Sequence, residues 1–196
     1  AILKIQQGLY ADALTNLQQA IGLVKASTDT LGIIHITNEI GKLHQHTDKY
    51  KLALSYSKNA LRIAREANLR RFDDMIFNSI GNAYLKMGQL DSAQYYLRRA
   101  YRLSQERGHQ VGVAKSLLLL GEVYKAQKDY TTAEAHFEQA LEIEKEIGAK
   151  HKIGKIYFSM ADLHYSRNKV FAAIQAMKKA EALFLEVNGK TELEQV

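Results

Sequence analysis

GNAYLKMGQLDSAQYYLRRA, residues 81–100, decides the fold of this chain. Its two alanines, Ala93 and Ala100, stand seven apart, which is two turns along one helix face. The pair recurs at intervals of 40 residues, as Ala13/Ala20, Ala53/Ala60, Ala133/Ala140 and Ala173/Ala180. Self-similarity at a fixed period of this size predicts a stacked repeat array. Other columns follow the same period. Gly81 belongs with Gly41, Gly121 and Ala161, and Tyr84 with His44, Tyr124 and His164. Apolar columns fall three, four or seven residues apart, which is helical spacing, and no column reads as a strand.

The small columns predict close helix contacts. Glycine inside a helix costs about 1 kcal/mol against alanine, so its recurrence calls for a packing reason. Two further columns punctuate the pattern. Gly8, Asp48, Gly88, Lys128 and Asn168 mark a tight turn within each unit. Thr28, Asn68, Gly108, Gly148 and Asn188 mark the stop after it, where Gly and Asn tolerate the left-handed conformation. Each unit therefore reads as helix A (about 31–46), a turn, and helix B (about 50–67).

The chain has 196 residues, is 46% hydrophobic and 24% charged, and lacks proline, cysteine and tryptophan. Without cysteine there is no disulfide framework, thiolate metal site or cysteine nucleophile. No apolar run approaches the roughly 18 residues of a membrane span, and no signal peptide is visible. The net charge is +6, with arginines concentrated between Arg62 and Arg107. Such a face suits an anionic partner or a solvated helix surface.

Gly-x-x-Tyr in helix A (Gly81–Tyr84, Gly121–Tyr124) and the spaced alanine pair of helix B resemble the tetratricopeptide repeat (TPR) family over essentially the whole chain. The 40-residue unit is similar to repeats of scaffold proteins of the LGN/Pins type and of bacterial sensor kinases and regulators. The resemblance implies an all-α fold, a right-handed α-solenoid of antiparallel helix pairs. About five repeats are expected in a single array over 1–196: a partial unit at 1–30, then 31–70, 71–110, 111–150 and 151–190. Residues 191–196 would start a further helix. Both ends fall inside the pattern, as in a piece of a longer protein.

The resemblance also implies a concave groove lined by helix A. Positions three before and one after the glycine column share a face. They are Asn38/Lys42, Asn78/Asn82, Leu118/Glu122 and Phe158/Asp162. Lys115 and Lys155 lie six before the column; Gln45, Lys125 and Tyr165 lie four after it, with Lys86 one further on. An amide offers a donor and an acceptor together, which suits the backbone of an extended peptide; the resemblance implies that use for Asn82. Lys42, Lys86 and Lys115 would favour a carboxylate, so Lys86 and Lys115 join the eight paired positions as ten candidate groove residues. The alternatives are solvated polar residues on a wide face, core packing for Leu118 and Phe158, and ion pairing of Glu122 and Asp162 with Lys155 or Lys125.

No chemistry emerges from the motifs. No His-x-x-x-His or Glu-x-x-His pair provides metal ligands one turn apart. Phosphate loops and nucleophile elbows are absent. No enzyme, cofactor or metal is expected. The expected function is a protein- or peptide-binding scaffold, the interaction or sensory region of a larger bacterial signalling protein. Alternatives are a receptor for a small signalling peptide, a basic-face binder of an anionic partner such as nucleic acid, and self-association through open repeat ends. The cytoplasm is the expected compartment, with the periplasm the alternative.

Overall fold

A computed structural model describes residues 10–26 and 29–193, with the side chains of 25, 26 and 188–193 outside the description. The first partial helix A and residues 194–196 lie outside the described residues. Among the described residues nine α-helices follow in order: α1 Tyr10–Ala26, α2 Thr30–His46, α3 Tyr50–Glu66, α4 Asp73–Lys86, α5 Leu90–Glu106, α6 Gln110–Ala126, α7 Tyr130–Ile147, α8 Lys150–Ser166 and α9 Val170–Leu193. A 3-10 turn, Arg70–Phe72, leads into α4. Among the described residues there is no strand. The chain divides into two compact units, residues 1–103 and 104–196, with the boundary inside α5.

From residue 48 to residue 168 the turn and stop columns do the same work; Gly8 and Thr28 lie outside the described residues. Asp48, Asn68, Gly88, Gly108, Lys128, Gly148 and Asn168 all take positive φ, between 56° and 74°. That left-handed residue reverses the chain, so the N–H after it bonds back to a carbonyl in the last turn. Lys49 donates to His44 O at 2.9 Å, Gln89 to Tyr84 O at 3.0 Å, Asp129 to Tyr124 O at 2.9 Å and Lys169 to His164 O at 2.9 Å. These bonds satisfy carbonyls that a helix end otherwise strands. Two helix starts are capped by carboxylates: Asp29 accepts from Gly32 N and Asp129 from Thr132 N.

The expected stop at Asn188 does not occur, and no new helix begins at Thr191, because α9 runs unbroken to Leu193. Asparagine competes weakly with helix and tolerates both conformations, so its identity alone does not end one.

In the first unit, α2 pairs with α3 and α4 with α5. A methyl group added at Gly81 would lie 2.5 Å from Leu97 Cγ, so only glycine lets these helices approach so closely. Ile34, Leu61, Ile76, Phe77 and Ile80 fill the core with Ala60, Ala64 and Ala100. A second cluster joins Ala13 and Leu17 of α1 to Ile40 and Leu43 of α2. In the second unit, α6 pairs with α7 and α8 with α9. A methyl at Gly121 would fall 2.4 Å from the fully buried Phe137 ring. In the last pair the column carries Ala161, which is 2% exposed, and Met177, in the column of Leu97 and Phe137, is 44% exposed.

Candidate functional site

In the first unit the amides do not line an open surface. Asn38 is 0% exposed and Asn78 1%. Neither Asn38 Nδ2 nor Oδ1 has a hydrogen-bond partner. The column three before the glycine is turned into the protein here. Asn82 is half-buried, and its Nδ2 donates to Gln45 Oε1 at 2.6 Å. Gln45 Nε2 in turn donates to Ser79 O at 2.7 Å. The two amides thus link α2 to α4 and leave Asn82 Oδ1 as an acceptor. Lys42 is held by Glu39, itself 7% exposed, and Lys86 is exposed.

In the second unit the same columns are more open. Phe158 is 54% exposed and Tyr165 69%, while Lys115, Leu118 and Glu122 are half-buried. Of the two pairings open to the acidic residues, Lys125 provides it. Its Nζ lies 2.7 Å from Glu122 Oε2 and 2.6 Å from Asp162 Oδ2, so it ties α6 to α8. Burial works against the Lys125 charge, but the two carboxylates outweigh it, and its pKa lies above the ordinary lysine value. Lys155 is open to solvent at its surface, yet protein crowding around the ammonium lowers its pKa by desolvation.

The structure thus brings Asn82 together with Gln45, and Glu122 and Asp162 together with Lys125. It separates Asn38 and Asn78 from solvent. Gln45, Lys125 and Tyr165 stand outside the ten candidates, although one column, four after the glycine, already placed all three on the same face.

The histidines that replace the column tyrosine pack as aromatic or polar neighbours. His44 stacks on Tyr56 at 5.4 Å, and His164 Nδ1 lies 3.9 Å from Glu134 Oε1. Desolvation, with Lys49 nearby, lowers the His44 pKa. Among the described residues no group of three or more His, Cys, Asp or Glu is placed to hold a metal ion. No described helix is long and apolar enough to cross a membrane.

The basic helix B face is built differently from a loose array of arginines. Arg98, Arg99 and Arg102 all line one open depression of about 740 Å³ on α5, with Asp91, Gln94 and Tyr95. Arg99 is turned inward. Its guanidinium donates to Tyr95 Oη at 2.7 Å and lies 4.9 Å from the Phe77 ring centre. On α3, Arg62 is bound to Glu66 and Asn59.

The tetratricopeptide repeat family model matches residues 32–106, 73–146 and 112–186. The chain is 26% identical over 125 residues to tetratricopeptide repeat protein 29 of Trypanosoma brucei brucei, a stretch covering 62% of this chain and 25% of that protein. Its fold is similar to that of a Rap protein solved with competence and sporulation factor. There the TM-score is 0.83 at 17% identity, over 93% of this chain and 52% of that one. It is also similar to BtubC from P. vanneervenii, at TM-score 0.67 and 20% identity, over 89% of this chain and 73% of that one. The chain therefore spans about a quarter of the curated relative and about half of the Rap protein.

Proposed function

The chain belongs to the tetratricopeptide repeat family, and we propose that it is a non-enzymatic scaffold that binds an extended peptide across its helix A faces, as the interaction or sensory region of a larger signalling protein. The observation that carries this reading is on α8. Phe158 and Tyr165 are more than half exposed, whereas Leu118, in the Phe158 column, is half-buried. Aromatic side chains left open beside polar groups suit a partner that covers them. The Gln45–Asn82 pair offers a second, polar element on the first unit, with Asn82 Oδ1 available to a backbone N–H. Of the ten candidates, Asn82, Lys86, Lys115, Leu118, Glu122, Phe158 and Asp162 remain in the proposed set. Asn38 and Asn78 act behind it as buried residues, and Lys42 is committed to Glu39.

A second reading is a receptor for a small signalling peptide. It draws on the similarity to the Rap protein solved with competence and sporulation factor. Both readings are tested by peptide phage display on the immobilised chain, with Phe158→Ala and Asn82→Ala variants as counter-selections. Enriched peptides that lose binding to either variant support peptide recognition on this face. Failure to enrich any peptide above background rejects it.

A further inference from the structure

Lys155, Phe158, Asp162 and Tyr165 stand three, four and three residues apart on α8. They form one stripe along about 15 Å of helix. Its charges are not equivalent. Asp162 shares the Lys125 ammonium with Glu122, so its charge is only partly offset. Lys155 has no carboxylate partner among the described residues, and desolvation alone acts on its ionisation. The stripe therefore has an acidic middle tied down by Lys125 and, among the described residues, one cation without a carboxylate partner, with an exposed aromatic ring a single turn from it. A carboxylate beside Lys155 would relieve the cost of an unpaired, crowded charge. A polyanion such as nucleic acid fits poorly, because Asp162 and Glu122 lie on the same face and share one lysine, and along the stripe Lys155 alone, among the described residues, is a cation without a carboxylate partner.

Resting on the peptide-binding reading above, we propose that the α8 stripe selects an acidic peptide segment, with a carboxylate set against the Lys155 ammonium and an apolar side chain laid on the Phe158 ring. The spacing narrows the pattern. Residues three apart on a helix have Cβ atoms about 5–6 Å apart. Alternate residues of an extended strand share a face and stand about 6.6 Å apart. The fitting segment is therefore acidic-x-apolar, read in either chain direction.

The test uses the full chain and short, end-capped, fluorescein-labelled peptides carrying Asp-Gly-Leu, Asn-Gly-Leu or Lys-Gly-Leu, read by fluorescence anisotropy. Peptides enriched by phage display provide the flanking residues. The aspartate peptide should bind about tenfold more tightly than the lysine peptide. Lys155→Glu should invert that order, and Phe158→Ala should weaken binding of both. Both positions are exposed, and an unchanged circular dichroism spectrum will confirm that the variants fold. An order that Lys155→Glu leaves unchanged, or equal affinity for all three peptides, overturns this inference while peptide binding itself stands. An oligonucleotide that competes better than the aspartate peptide also overturns it. No enrichment of any peptide overturns the proposed function and this inference together.

Discussion

Asn38 and Glu144 are polar residues whose burial costs free energy. Both polar atoms of Asn38 are buried without a partner, and an unsatisfied buried group costs about 1–3 kcal/mol. The same column carries Leu118 and Phe158 in later repeats, so an apolar side chain suits the backbone there. Asn38→Leu should therefore stabilise the protein by about 1–2 kcal/mol in urea denaturation; a loss of stability would show that the amide is structurally required. Glu144 is 2% exposed, with one carboxylate oxygen unpartnered and the other 3.4 Å from Lys152 Nζ. Desolvation outweighs that lysine and holds its pKa above the ordinary glutamate value. A carboxyl with a raised folded pKa binds its proton more tightly in the folded state. Its destabilising contribution is absent below the unfolded pKa and grows as pH rises through the folded one. Glu144→Gln should therefore be more stable than the parent at neutral pH, and the difference should close below the usual carboxylate range. Urea denaturation at a series of pH values checks this, and a gap that widens on acidification contradicts it. The sequence marks neither residue. Asn38 falls in a column read as surface, and the Glu144 column holds Ala64, Ser104 and Phe184, whose small or apolar character was the available signal.

At the scale of the helix pair, the glycine column decides how closely helix A meets helix B. A methyl at Gly121 must displace the Phe137 ring, which has no free space. Overpacking costs about 1–3 kcal/mol, against roughly 1 kcal/mol gained in helix propensity. Gly121→Ala should lose about 1 kcal/mol net. The control is Gly22→Ala in α1, where no atom stands within 4 Å of the added carbon. That change should gain about 0.5–1 kcal/mol. Thermal denaturation of the pair checks the sign at each site; a stabilised Gly121→Ala would mean that α6 and α7 part readily. The helix pairing and its turns were legible because αL residues and small residues leave marks in the sequence. The course of α9 through 188 was not, since asparagine permits a stop without enforcing one.

For the whole molecule, the two compact units each carry buried apolar residues of their own. Repeat proteins gain stability from near neighbours, so damage should stay local. Gly121→Ala should lower amide hydrogen-exchange protection mainly within 104–196 and leave the buried amides of α2 and α4 close to their original rates. Equal loss in both units would show that the chain unfolds as one cooperative block. The repeat period, the helix pairs, the turn positions and the family were determined by the sequence alone. They rest on local rules: helical spacing, conformational preference at the turns, and small side chains at close contacts. Which helix A residues meet solvent was decided only by tertiary structure. Asn38 and Phe158 share one column of the repeat, yet one is 0% exposed and the other 54%. The reason is physical: a column fixes a side chain's direction from its own helix, but exposure depends on which neighbouring helix lies in that direction and how closely it packs.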